Sequence, residues 1–123
     1  MGHAKFIEFQ GMRILSLDFM ACELVDIVNV VQEAKKLISA EPKNSVLTLT
    51  NVTGAQYNAA VTRVMKEFTA YNKPFVIAGA VVGLDGFRRL VFEAVIQFSG
   101  RNLIVFEDEE KAKDWLVKQR PAT

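Results

Sequence analysis

The feature that most constrains this chain is the run Phe75 to Val82, Phe-Val-Ile-Ala-Gly-Ala-Val-Val, bounded by Pro74 and Gly83. It is the most apolar stretch in the sequence, short and rich in β-branched residues, so it reads as an interior strand of a sheet. Helices must then cover that sheet, and the rest of the chain is organised to supply them.

Lys5 to Gln10 alternates as Lys-Phe-Ile-Glu-Phe-Gln, Gly11 supplies a turn, and Met12 to Asp18 alternates again, which predicts an antiparallel hairpin. From Cys22 to Ala40, residues Leu24, Ile27, Val28, Val31, Ala34, Leu37 and Ile38 recur at helical spacing until Pro42 ends the helix. Ser45 to Asn51 reads as a second buried strand. A helix follows, with a stripe of Ala60, Val61, Val64, Met65, Phe68 and Tyr71 broken at Asn72-Lys73-Pro74. Beyond the apolar strand, Gly83-Leu84-Asp85-Gly86 is a turn with Asp85 as cap, and a third helix runs from about Phe87 to Phe98 before Ser99-Gly100 stops it. Leu103 to Phe106 is a last strand. Asp108-Glu109-Glu110 then opens a helix that turns Ala112, Trp115 and Leu116 inward and carries Lys118 and Arg120 near its end. The order β-β-α-β-α-β-α-β-α predicts an α/β fold: a mixed, largely parallel five-stranded sheet with an antiparallel N-terminal edge strand, flanked by four helices. One domain over residues 1–123 is expected, with no internal repeat or linker.

Composition narrows the partners. The chain is 50% hydrophobic and 24% charged, which supports one buried core and excludes disorder. Fifteen basic and fourteen acidic residues leave a net charge of +1, with no basic patch interleaved with aromatics, so no nucleic-acid partner is expected. The apolar stretches are broken by charge well short of the roughly 20 residues of a membrane span. A lone cysteine and a start without a signal pattern predict a cytoplasmic address, and Met1-Gly2-His3 is given no weight.

Cys22 is the strongest candidate for chemistry, because a helix amino terminus nearby lowers a thiol pKa. No histidine other than His3 is available to pair with it, and a small buried hydrophobe is the simpler reading. The run Glu107 to Glu110 is the sole acidic cluster, placed at a helix start where a solvated cap explains it, so neither a metal nor a cofactor is expected. Gly79, Gly83 and Gly86 match neither G-x-x-x-x-G-K-[ST] nor G-x-G-x-x-G. Gly83 and Gly86 read as a sharp turn, with Arg88 and Arg89 leaving anion binding open. Ligands of open α/β sheets sit at the carboxyl ends of strands. The junction Asn51 to Asn58 therefore makes Thr53, Gln56, Tyr57 and Asn58, with Gly83 and Gly86, the candidate ligand-binding residues; the alternative is a connecting loop with Asn58 as helix cap.

On the third helix, Phe87, Leu90, Val91, Ala94, Val95 and Phe98 form the expected core stripe, while Phe92 and Ile96 lie on another face. Together with Arg88 and Arg89 they form a candidate interface for a second copy of the chain or for another protein. The rival reading covers this face from within, through Trp115 or Leu116 of the last helix.

The element order resembles the SpoIIAA-like domains, the STAS and CRAL-TRIO-related family. The likeness rests especially on Ala80-Val81-Val82-Gly83-Leu84-Asp85-Gly86-Phe87-Arg88-Arg89, on Gly100-Arg101, and on Phe106-Glu107-Asp108-Glu109-Glu110-Lys111-Ala112-Lys113-Asp114-Trp115-Leu116. The resemblance implies a four- to five-stranded sheet flanked by helices and a role in protein contacts. Anti-sigma-factor antagonists of the STAS group carry a phosphorylatable serine in an Asp-Ser-Ser-Gly type motif. Here Gln56-Tyr57-Asn58-Ala59 stands in its place, so the phosphoswitch does not carry over.

With no nucleophile–base pair, metal cluster or cofactor fingerprint, the expected function is a noncatalytic protein-binding or regulatory module, self-associating as a homodimer. The alternative is a carrier of a small apolar or lipid-like ligand, which needs a cavity of at least a few hundred Å³. An enzyme built on Cys22 comes third.

Overall fold

The N-terminal alternation does form a hairpin. In the computed structural model, which describes residues 1–119, β1 (His3–Phe9) pairs antiparallel with β2 (Met12–Asp18). The first strand starts two residues earlier than its alternation suggested, because His3 pairs with Asp18. The chain then alternates: α1 (Leu24–Ser39), β3 (Val46–Asn51), α2 (Ala59–Asn72), β4 (Val76–Val82), α3 (Gly86–Ser99), β5 (Leu103–Phe106) and α4 (Glu109–Val117). The sheet order is β1-β2-β3-β4-β5, parallel from β2 onward, so each crossover carries a helix and β1 is the antiparallel edge.

Strand alternation divides the core in two. On one face Ile14, Leu47, Leu49, Ala78, Ala80 and Val82 pack against Ala112 and Leu116 of α4. On the other, Leu15, Leu17 and Phe19 pack beneath α1 and α2, through Ile27, Val30, Val31, Ala34 and Ile38 and through Val61 and Phe68. α1 begins after Cys22, with the Asp26 carboxylate accepting from the Glu23 N–H at 3.3 Å. On α2 the expected stripe loses its ends, since Ala60 and Tyr71 are exposed and Asn72 is buried instead.

α3 departs from the sequence reading. Phe87, Leu90 and Val91, expected in the core, are 79%, 66% and 37% exposed, and Ala94 is exposed as well. Phe92 and Ile96, expected on an outer face, are half-buried and turn toward the sheet. The helix is apolar on most of its circumference, so hydrophobic periodicity alone has no unique solution there. Cover by the last helix is not the answer either, because Trp115 and Leu116 pack on the opposite face of the sheet. Asp85 stands at the N-cap position of α3 without a side-chain cap bond, and Gly100, at φ 69°, ends the helix. The side chains of Val95 and Phe98, and Arg120, lie outside the described residues.

Candidate functional site: an apolar cavity beneath the third helix

The site begins with the register of the strands. Leu15, Thr48, Gly79 and Leu103 form one row across β2 to β5. Leu17, Thr50, Val81 and Val105 form the next. A Thr–Gly pair lies in the middle of the first row, between Leu15 and Leu103, and forms part of the floor. A Cβ on Gly79 would lie 2.6 Å from Leu103 Cδ2 and 2.7 Å from Thr48 Oγ1, so the neighbours already lean over that position. α2 supplies one wall through Val61, Met65 and Phe68, and α3 supplies the other through Val91, Phe92 and Ile96. The result is a cavity of about 440 Å³.

Its two ends differ. At the carboxyl ends of the strands, Tyr57 and Arg88 line the cavity, with the guanidinium 5.0 Å from the ring centroid. Gln56 also lines this end and is fixed by α1: its N–H donates to the Cys22 carbonyl at 2.8 Å, and its Oε1 accepts from the Leu24 N–H at 2.8 Å. At the other end, Arg101 follows the helix-ending Gly100 and donates to the Thr69 carbonyl at 2.9 Å and to Asn72 Oδ1 at 3.2 Å. Burial pushes the Arg101 pKa below the usual guanidinium range, and the group remains a cation in a partly desolvated wall. Lys66 is the third basic residue of the lining. Among the described lining residues there is no aspartate, glutamate, histidine or cysteine. The surroundings can hold an apolar body and attract a negative charge.

The candidates read from the sequence are partly assembled here. Gln56, Tyr57, Arg88, Phe92 and Ile96 line the cavity. Thr53, Asn58, Gly83, Gly86 and Arg89 do not. Thr53 and Gly83 meet through backbone, where a Cβ on Gly83 would collide with the Thr53 N–H and hydroxyl. Asn58 caps α2, its Oδ1 accepting from the Val61 N–H at 2.9 Å, and Arg89 pairs with Glu93 at 2.9 Å. Asp108 caps α4 by accepting from the Lys111 N–H at 2.8 Å, and no cluster suited to a metal ion occurs among the described residues.

Cys22 takes the simpler of its two readings, a small buried hydrophobe, and is not an acidic thiol. It is buried, with Sγ 3.6 Å from the Met1 carbonyl, and burial followed by the neighbouring Asp26 pushes its pKa up. Arg101, Lys66, Thr48 and Gly79 were missed as site residues. Their signal was present in part: Val46 to Thr50 places Leu47 and Leu49 on one face and Thr48 and Thr50 on the other, opposite Gly79 and Val81. Small residues facing each other on adjacent strands mark a floor that the core does not fill.

No family model matches the chain, and no curated protein sequence matches it. Among solved structures, it is similar to an uncharacterised protein of the DUF3478 family with a SpoIIAA-like fold from Shewanella loihica PV-4. The identity is 12%, the coverage 94% of this chain and 95% of that one, and the TM-score 0.77. It is also similar to an anti-sigma-factor antagonist (STAS) domain protein from Planctomyces limnophilus, at 6% identity, with 94% and 98% of the two chains covered and a TM-score of 0.63. No helix among the described residues is long and apolar enough to cross a membrane. Identities this low speak to architecture, and the antiparallel hairpin, the parallel strands and the four helices place the chain in the SpoIIAA-like fold.

Proposed function

We propose that this domain is a noncatalytic binding module that takes up a small apolar ligand between α2, α3 and the sheet. The cavity of about 440 Å³ carries this reading, since small-molecule sites occupy roughly 300–1,000 Å³ and are mainly apolar with a few polar groups. The lining is mainly apolar, and a ligand that displaces water from it removes that apolar surface from water. The test is titration with an apolar fluorescent dye, alongside native mass spectrometry of protein purified under mild conditions. Wild type should bind the dye, and Met65→Trp, which fills the cavity, should bind it much more weakly while unfolding at a similar temperature. Equal dye binding by both proteins, or none by either, would overturn the reading.

A second reading, a protein-contact module, is favoured by the outward face of α3, where Phe87 and Leu90 are exposed beside Arg88. Large apolar groups in contact with water suit an interface. Sedimentation velocity compares wild type with Leu90→Asp. A concentration-dependent dimer in the wild type alone supports self-association through this face, and a monomer in both removes it.

A further inference from the structure

The two edges of the sheet are built differently. β1 is blunted: its Ala4 N–H donates to Glu33 Oε1 of α1 at 3.0 Å, and Lys5 and Glu8 are exposed along it. β5 reads Leu103-Ile104-Val105-Phe106, with no charge, proline or register shift. The Gly79 N–H donates to the Asn102 carbonyl at 3.0 Å, so alternation turns the backbone of Ile104 and Phe106 toward β4 and that of Leu103 and Val105 outward. No hydrogen bond to these outward groups occurs among the described residues. An edge of this kind is a template for another strand.

We infer that the strand it takes is β5 of a second copy of the chain, antiparallel, with Leu103 of each copy opposite Val105 of the other and the two Ile104 residues facing each other across the two-fold axis; this rests on the protein-contact reading and assigns that contact to a strand. The register follows from symmetry. A two-fold axis normal to the sheet keeps each face continuous, and pairing Leu103 with Val105 uses both outward residues of each copy. Apolar surface is exposed on both sides of the edge. Ile104 shares the face of Phe106, which packs on Trp115, yet α4 leaves Ile104 41% exposed. On the other side α3 packs against β5 and carries Phe87 and Leu90 exposed. Charge selects the direction. The exposed run Glu107 to Glu110 follows the C-terminal end of β5, whereas Asn102, just before the strand, reaches Gln119 at 3.4 Å, which places the exposed Lys118 at the opposite end. Antiparallel pairing sets the acidic run of one copy beside Lys118 of the other, and parallel pairing would set it against its own kind.

Sedimentation velocity over a concentration series compares wild type with Ile104→Lys, Ile104→Glu and Leu90→Asp. Wild type should dimerise, and Leu90→Asp should weaken the dimer because α3 flanks the same edge. Each Ile104 variant alone should dimerise about tenfold or more weakly, since like charges then face each other across the axis, and the two variants mixed should recover a heterodimer. A dimer that survives both Ile104 variants but not Leu90→Asp would overturn the strand assignment and leave self-association through the α3 face standing. No recovery in the mixture would overturn the pairing across the axis. A wild type that stays monomeric would sink both this inference and the reading beneath it. Should the Ile104 variants fail to fold, amide exchange on the wild type decides. The Leu103 and Val105 amides should exchange more slowly as concentration rises, and unchanged exchange in a protein that dimerises would overturn the edge contact.

Discussion

Gly83 and Cys22 show how local physics becomes a measurable property. Gly83 has φ 94° and no room for a Cβ against Thr53, whereas Gly86 has φ 43° and open space around it. Both Gly→Val variants should be destabilised by about 1 kcal/mol through backbone conformation. Gly83→Val should lose about 1–3 kcal/mol more through overpacking against the Thr53 backbone. Urea unfolding measures the difference, and equal midpoints would mean that the 53–54 turn moves aside freely. Cys22 has a raised pKa in the folded protein, so the fold holds the thiol proton more tightly than the unfolded chain does. Its contribution to stability is complete below the unfolded thiol pKa of about 8.5 and is lost as pH rises through the higher folded value. Wild type should therefore lose more stability than Cys22→Ala between about pH 7 and about pH 10, and its thiol should react slowly with a disulfide reagent until denatured. Identical alkaline losses in the two proteins would contradict this.

At the scale of the element, α3 is where sequence pattern and tertiary structure part. Six of its positions offered an apolar stripe, and an equally plausible apolar pair lay beside it, Phe92 and Ile96. In the fold, Phe92 and Ile96 line the cavity over the sheet together with Val91 of the stripe, while Phe87 and Leu90 stay exposed. The orientation reverses what substitutions on this helix should do. Phe92→Asp places a charge against the apolar cavity and should cost about 2 kcal/mol or more. Leu90→Asp, on a 66% exposed residue, should change stability by about 0.5 kcal/mol or less. Thermal unfolding of the two variants checks this, and a stable Phe92→Asp beside a destabilised Leu90→Asp would restore the stripe read from the sequence. α1 and α4 were easier to read because each has one clear apolar face: Ile27, Val31, Ala34 and Ile38 on α1, Ala112 and Leu116 on α4.

For the molecule as a whole, stability should depend on the apolar core and not on a metal or a disulfide. The chain has a single cysteine, and the described residues form no metal-suited cluster. Melting with chelator or with reductant should coincide with melting in plain buffer, and a shift of several degrees would contradict this. The sequence by itself determined the order of strands and helices, the hairpin at the edge, the cap at Asn58 and the turn at Gly83, because these depend on periodicity, short-range hydrogen bonds and backbone freedom within a few residues. Tertiary structure alone decided which side of α3 faces inward, that Thr48 and Gly79 share a row with Leu103, and that Arg101 meets Asn72 at the end of a cavity. A cavity is space left between elements distant in the chain, and no local pattern encodes its volume. Only the packing of α2 and α3 over the same strands brings its walls together.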